Sequence, residues 1–157
     1  MVDEVFFSHS TKHSKGTMIL VNPKTNYEVE KKICDKSGRY ITLDILLAGT
    51  RIILVNIYAP NEPSQQSSFF KEIPQQLQEF SEEIIITGGA FNCTLGEKDK
   101  KGGNNSNQKH LAVKEIKKLR NLYNLHDILR VLNPNAEEFT WRKKTSKIQS
   151  YAALTIF

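Results

Sequence analysis

A chain of 157 residues has room for one domain, and with 39% hydrophobic residues, 25% charged residues and no internal repeat its make-up is that of an ordinary globular protein. No apolar run approaches the ~20 residues needed to span a bilayer, and Met1-Val2-Asp3-Glu4 lacks the basic-then-apolar start of a secretion signal, so an intracellular protein of nucleus or cytoplasm is expected, not a secreted one. Two cysteines, Cys34 and Cys93, exclude a disulfide framework and read as buried reduced thiols.

Lys and Arg number 22 against 17 Asp and Glu, a net charge of +5 that suits either a polyanionic partner or a solvated basic surface. The excess gathers at Lys31-Lys32, at Lys98 with Lys100-Lys101, from Lys114 to Arg120, and at Arg142-Lys143-Lys144.

In chain order, Thr17 to Val21 is a short apolar run closed by Asn22-Pro23, the pattern of a buried strand. Arg39 to Leu47 alternates, with Ile41, Leu43, Ile45 and Leu47 on one face and Thr42 and Asp44 on the other. Ala48-Gly49 turns the chain into a second β-rich run, Arg51 to Tyr58, which completes a hairpin. Ser64 is placed to cap a helix whose Phe69, Phe70, Ile73, Leu77 and Phe80 share a face, with Pro74 expected to kink it or shift its start. Glu83 to Thr87 reads as a buried strand ending in a Gly88-Gly89 turn, and Lys98 to Gln108 as a mobile polar loop. A second helix carries Ala112, Ile116, Leu119 and Tyr123 on one stripe. Phe139 to Arg142 and Lys147 to Gln149 read as two strands joined by a basic turn. Strands that pair as hairpins and alternate irregularly with helices predict α/β layers with a mixed or largely antiparallel sheet.

Three segments place polar groups at the ends of apolar strands, where an α/β enzyme gathers its site. They are Val55-Asn56-Ile57-Tyr58-Ala59-Pro60-Asn61, then Ile84-Ile85-Ile86-Thr87-Gly88-Gly89-Ala90-Phe91-Asn92, and last Phe139-Thr140-Trp141-Arg142 followed by Lys147-Ile148-Gln149-Ser150. Their order resembles the endonuclease/exonuclease/phosphatase family, which includes AP endonucleases and the endonucleases of LINE-type retrotransposons. Gly89-Ala90-Phe91-Asn92 stands where that family has Gly-Asp-Phe-Asn. The run Ser14 to Leu20, the Ile57-to-Asn61 turn, Leu132-Asn133-Pro134-Asn135 and Thr140-Trp141-Arg142 are similar to the LINE branch, so the resemblance spans about Phe6 to Ser150.

The resemblance implies an α/β (α+β) fold, an incomplete two-layer β-sandwich flanked by helices, as a single partial domain over residues 1–157. It implies Mg²⁺-dependent phosphodiester hydrolysis, in which the ion stabilises charge on phosphorus while a carboxylate activates water. Carried over residue by residue, Tyr58 faces the scissile phosphate and Asn92 orients nucleophile or phosphate. Asn61, Thr140, Arg142, Lys143 and Lys144 meet DNA, the last three by neutralising its backbone.

The departures concern the chemistry. Ala90 replaces the water-activating Asp, and the family's metal-binding Glu and its Ser-Asp-His motif have no counterpart among the 157 residues. Loss of one acid–base group alone costs on the order of 10²–10⁴ in rate. Glu97 and Asp99 are the nearest carboxylates beyond Asn92, in a segment with nothing to fix them. The expectation is therefore a degenerate, inactive remnant of a retrotransposon endonuclease that binds no Mg²⁺, with weak, nonspecific affinity for DNA and no membrane contact. The alternative is a module that self-associates through exposed sheet edges.

Plainer readings stand beside these. Tyr58 and Asn92 serve either as ligands or as a strand-end cap and a turn holder. The Arg142-Lys143-Lys144 turn contacts phosphate or is simply solvated, and the basic face from Lys114 to Arg120 reads as solvated. The four histidines share no metal-ligand spacing; His9 and His13 read as loop residues on the surface, and Trp141 as core. Ala153 to Phe157 matches a one-base-shifted reading of Arg-Leu-Asp-Tyr-Phe, from which an edge strand from Lys147 that frays after about Ser150 is expected.

Overall fold

Two successive residues with positive φ, Ala48 (48°) and Gly49 (82°), turn the longest hairpin of the computed structural model. The structure describes residues 4–10, 16–96, 99–101, 107–136, 141–144 and 149–152; for 100–101, 107–110, 141–144 and 149–152 the description is of the backbone. Its strands are β1 (Glu4–His9), β2 (Gly16–Val21), β3 (Tyr27–Cys34), β4 (Tyr40–Leu47), β5 (Thr50–Tyr58), β6 (Ile84–Ala90), β7 (Lys100–Lys101), β8 (Trp141–Lys144) and β9 (Gln149–Ala152). Its helices are α1 (Pro63–Leu77), α2 (Asn107–Leu122) and α3 (Ile128–Leu132), with a short 3₁₀ turn at Gln78–Phe80. The chain forms two compact units, Met1–Tyr58 with Glu79–Gly89 and Ala59–Gln78 with Ala90–Phe157.

In the first unit β1 pairs with β2, and β3-β4-β5-β6 form a four-stranded sheet. The two positive-φ turn residues match the twist of flanking strands, so Leu47 faces Thr50 and Leu43 faces Leu54. That register sends Ile41, Leu43 and Ile45 inward, against Phe6, Ile19, Tyr27, Leu47, Ile52 and Leu54, where each contributes about 1.5–3 kcal/mol of burial.

The other face of β4 is buried as well. Asp44 is only 2% exposed, and Arg51 answers it with two parallel bonds, Nε to Oδ1 at 2.9 Å and Nη2 to Oδ2 at 2.8 Å. Arg51 also reaches Glu83 at 2.8 Å and lies 5.8 Å from the Phe80 ring centre. A buried carboxylate is tolerated here because a fork-shaped cation meets it.

Several expectations change. Strands β1 and β3 were not anticipated. β1 takes His9 as its last residue, 5.5 Å from the Phe7 ring, rather than leaving it in a loop. β3 escaped the alternation test because it is a mostly exposed, lysine-bearing edge with a register shift between Val29 and Lys31. β2 and β6 are not buried strands: Met18, Leu20, Ile84 and Ile86 are all exposed. β2 pairs on one side only and β6 ends its sheet, so apolar runs here mark strand propensity without enclosure. Cys34 is exposed and Cys93 half-buried, so the expected burial fails for Cys34.

Gly88-Gly89 is no turn, because β6 continues through both to Ala90. Gly89 has φ +119°, and a Cβ there would lie 2.1 Å from the Ile57 carbonyl oxygen. The glycine is required because β5 passes against its backbone.

In the second unit α1 opens at Pro63. Glu62 precedes it in extended conformation without a side-chain cap, and Ser64 lies inside the helix, not at its cap. Proline suits a first helical position because its missing N–H would be unbonded anyway. The helix runs on past Pro74 to Leu77, with Gln66, Phe70, Ile73 and Leu77 buried. On α2, Ala112, Ile116 and Leu119 are buried as expected, and Tyr123 just beyond it donates its hydroxyl to the Pro74 carbonyl at 2.8 Å. Part of the expected polar loop is β7 and the start of α2.

β9 lies between β7 and β8, antiparallel to both. Arg142, Lys143 and Lys144 lie in β8, opposite Tyr151, Ser150 and Gln149, so they are strand rather than turn residues. β9 also extends two residues past Ser150 as a central strand, contrary to the expected fraying edge, because Tyr151 and Ala152 are paired on both sides. His13 and residues 153–157 lie outside the described residues, and the placement of the Trp141 side chain is likewise outside them. No helix among the described residues is long and apolar enough to cross a membrane.

The glycine requirement separates two neighbours. Gly89→Ala is expected to destabilise by more than about 1 kcal/mol from backbone conformation alone, with the clash added. Gly88→Ala, with nothing within 4 Å of its Cβ position, should stay near neutral. Urea midpoints of the two variants decide, and equal midpoints would remove the close-approach account.

Candidate functional site

Tyr58 ends β5 in the first unit. Its N–H donates to the Arg39 carbonyl at 2.7 Å, and its own carbonyl accepts from Arg39 Nη1 at 3.2 Å. The Arg39 guanidinium sits over the Tyr58 ring, 5.3 Å from its centre. Both side chains are partly exposed.

The residues that follow Tyr58 and Gly89 are tied together in the second unit. The Ala59 N–H donates to the Ala90 carbonyl at 2.9 Å, and Asn92 Nδ2 donates to the Ala59 carbonyl at 2.6 Å. Asn92 has φ 53°, a left-handed conformation that asparagine tolerates better than most residues. Gln66 Nε2 donates both to the Pro60 carbonyl and to the Asn92 carbonyl, each at 2.9 Å. One turn further along α1, Phe70 stacks on Phe91 with ring centres 5.9 Å apart and planes 6° apart. A single helix face thus anchors both the Ala59-Pro60 turn and the Phe91-Asn92 turn.

Gln66 escaped the sequence reading. The signal was available: it occupies the buried stripe of Phe70, Ile73 and Leu77, and a glutamine fully inside such a stripe must bond to something. Arg39 was missed too, since it reads only as the first residue of a strand. Of the anticipated residues, Asn61 is exposed beside the Pro60 turn, Arg142, Lys143 and Lys144 follow one another along β8, and Thr140 lies outside the described residues.

Asp99, the first described carboxylate after Asn92 in the chain, is engaged. Asp99, 7% exposed, accepts from the Gly96 N–H at 2.9 Å and from Arg130 Nη2 and Nε at 2.6 and 3.0 Å. Arg130 also donates to the Ala136 carbonyl, and its N–H meets the Asp127 side chain that caps α3. Asp99 is therefore a loop anchor, and Glu97 lies outside the described residues. Among the described residues no three His, Cys, Asp or Glu side chains group to hold a metal ion. Among the described residues, Ala90 offers a methyl group and Asp99 is committed to Arg130, so neither supplies an open oxygen donor for Mg²⁺.

The fold is that of the endonuclease/exonuclease/phosphatase nucleases, in incomplete form. An AP endonuclease from Leishmania major superposes with a TM-score of 0.72 at 16% identity, over 97% of this chain and 61% of that one. The endonuclease domain of TRAS1, a telomere-specific non-LTR retrotransposon, superposes at 0.64 with 15% identity, over 97% of this chain and 65% of that domain. In sequence, the chain is 29% identical over 138 residues to an uncharacterized 149 kDa protein of transposon TX1 from Xenopus laevis, covering 87% of this chain and 10% of that protein. The chain therefore spans under two thirds of the solved structures and a tenth of the transposon protein. No protein-family model matches it. The likeness to a LINE-type endonuclease now stands on fold and sequence together.

Replacing Gln66 by Leu removes both bonds, leaving two carbonyls without that donor. A loss of about 1–3 kcal/mol is expected, with faster amide exchange around Asn92. Unchanged stability and exchange would show that the glutamine ties nothing down.

Proposed function

We propose that these 157 residues are part of one retrotransposon endonuclease domain that keeps the scaffold and has lost the hydrolysis. The observation that carries the reading is Ala90, a methyl group where the resembling nucleases have their water-activating carboxylate. The engagement of Asp99 by Arg130 supports it, because the first described carboxylate after Asn92 in the chain already serves a structural pair. In this reading Tyr58 keeps its place toward a phosphate. Asn92 acts as a turn holder, its Nδ2 already bonded to the Ala59 carbonyl. Asn61, Thr140, Arg142, Lys143 and Lys144 supply weak, sequence-independent contact with DNA. The transposon relative and the AP endonuclease and TRAS1 folds favour this over a self-associating module.

Purified protein incubated with supercoiled plasmid and Mg²⁺ or Mn²⁺ is expected to leave the plasmid intact. Nicking that follows the protein through purification and disappears in Asn92→Ala would refute the inactive reading. Ala90→Asp alone should not restore nicking, since one carboxylate does not complete a metal site.

DNA binding should depend steeply on salt and little on sequence. Changing Arg142, Lys143 and Lys144 together to Ser should lower the slope of log affinity against log salt by up to ~3 units. An unchanged slope would mean that β8 does not touch phosphate.

A further inference from the structure

We propose that Arg39, laid across Tyr58, is a metal-independent binding site for one phosphodiester group of DNA. The inference rests on the DNA-binding reading above and gives it a residue that the resemblance did not supply.

Arg39 is delivered by a well-fixed turn. The Gly38 N–H donates to the Asp35 carbonyl at 3.0 Å, and Gly38 has φ +70°, where an added Cβ would lie 2.7 Å from the Ser10 backbone nitrogen. The Asp35 side chain accepts from the Arg39 N–H at 2.7 Å and from the Ser37 hydroxyl. Ser8 donates its hydroxyl to the Asp35 carbonyl at 2.8 Å. Asp35 thereby shapes the turn rather than neutralising the guanidinium.

The contrast with two other arginines is informative. Arg51 grips Asp44 and Glu83, and Arg130 grips Asp99. Among the described residues Arg39 has no carboxylate partner; its contacts are the Tyr58 carbonyl and the Tyr58 ring. An arginine carries five N–H donors in a planar fork, and one bond to a carbonyl leaves most of that fork open. The ring holds the plane by cation–π attraction, which reduces the ordering cost when an anion arrives. The Tyr58 hydroxyl, without a partner among the described residues, adds a neutral donor to the same place. Planar fork, fixed plane and partial exposure together suit a tetrahedral phosphate better than a point charge, and they need no divalent ion.

The experiment measures binding of a short fluorescent DNA duplex in EDTA across about 50–200 mM salt, for wild type, Arg39→Gln, Arg39→Lys and Tyr58→Phe. Arg39→Gln should weaken binding about five- to tenfold and lower the salt slope by about one unit. Arg39→Lys should keep the slope and lose part of the affinity, because an ammonium lacks the fork. Wild-type affinity and slope in Arg39→Gln would overturn the inference while leaving the DNA-binding reading intact. A wild-type protein that does not bind DNA would overturn both. Should Arg39→Gln fail to fold, the wild type decides: its Arg39 Nε–H resonance should shift saturably with a dinucleotide phosphodiester and with inorganic phosphate. Silence toward both rejects the site, and a response to inorganic phosphate alone rejects DNA as its ligand.

Discussion

The β4–β5 hairpin sets the terms for the rest of its unit. Ala48 and Gly49 both take positive φ, which lets a two-residue turn match the strand twist and leaves one register open. Because side chains alternate with period two, a one-residue slip would turn Ile41, Leu43 and Ile45 out of the core and Asp44 away from Arg51. The same register ends β5 at Tyr58 and begins β4 beside Arg39, so one turn governs both the core and the arginine–tyrosine pair.

Polar groups inside this chain mostly serve architecture. Buried Asp44 is answered by Arg51, buried Asp99 by Arg130, and the buried Gln66 amide nitrogen by two carbonyls. A residue held in this way is a poor catalyst, since its lone pairs or protons are already committed. The open polar groups are different in kind: an arginine without a carboxylate partner among the described residues, and a tyrosine hydroxyl. An arginine fork and a hydroxyl of this kind can donate to an anion, the chemistry on which the proposed phosphate contact rests.

Much of the architecture was legible where burial and periodicity coincide. The β4–β5 pair and the α2 stripe were read correctly because alternation and helical spacing each record one face against a core. Legibility failed where those signals separate. β2 and β6 are apolar yet exposed, since a run of β-branched and aliphatic residues encodes extended backbone but not the presence of a neighbour. β3 is a strand with edge character, so its charges hid it. At α1 a proline outcompeted a serine for the helix start, which propensity alone does not rank.

The sequence by itself determined the order of motifs, the presence of Ala90 where the resembling family has an acidic residue, the basic excess and the nuclease-like resemblance, because each of these is a matter of residue identity and spacing. Tertiary structure alone decided that Gly89 lies within a strand against Ile57, that Gln66 joins two turns, that Asp99 belongs to Arg130, and that Arg39 lies on Tyr58. Each of those depends on atoms far apart in the chain meeting within a few ångströms, and local sequence carries no record of which distant partner a polar side chain will find.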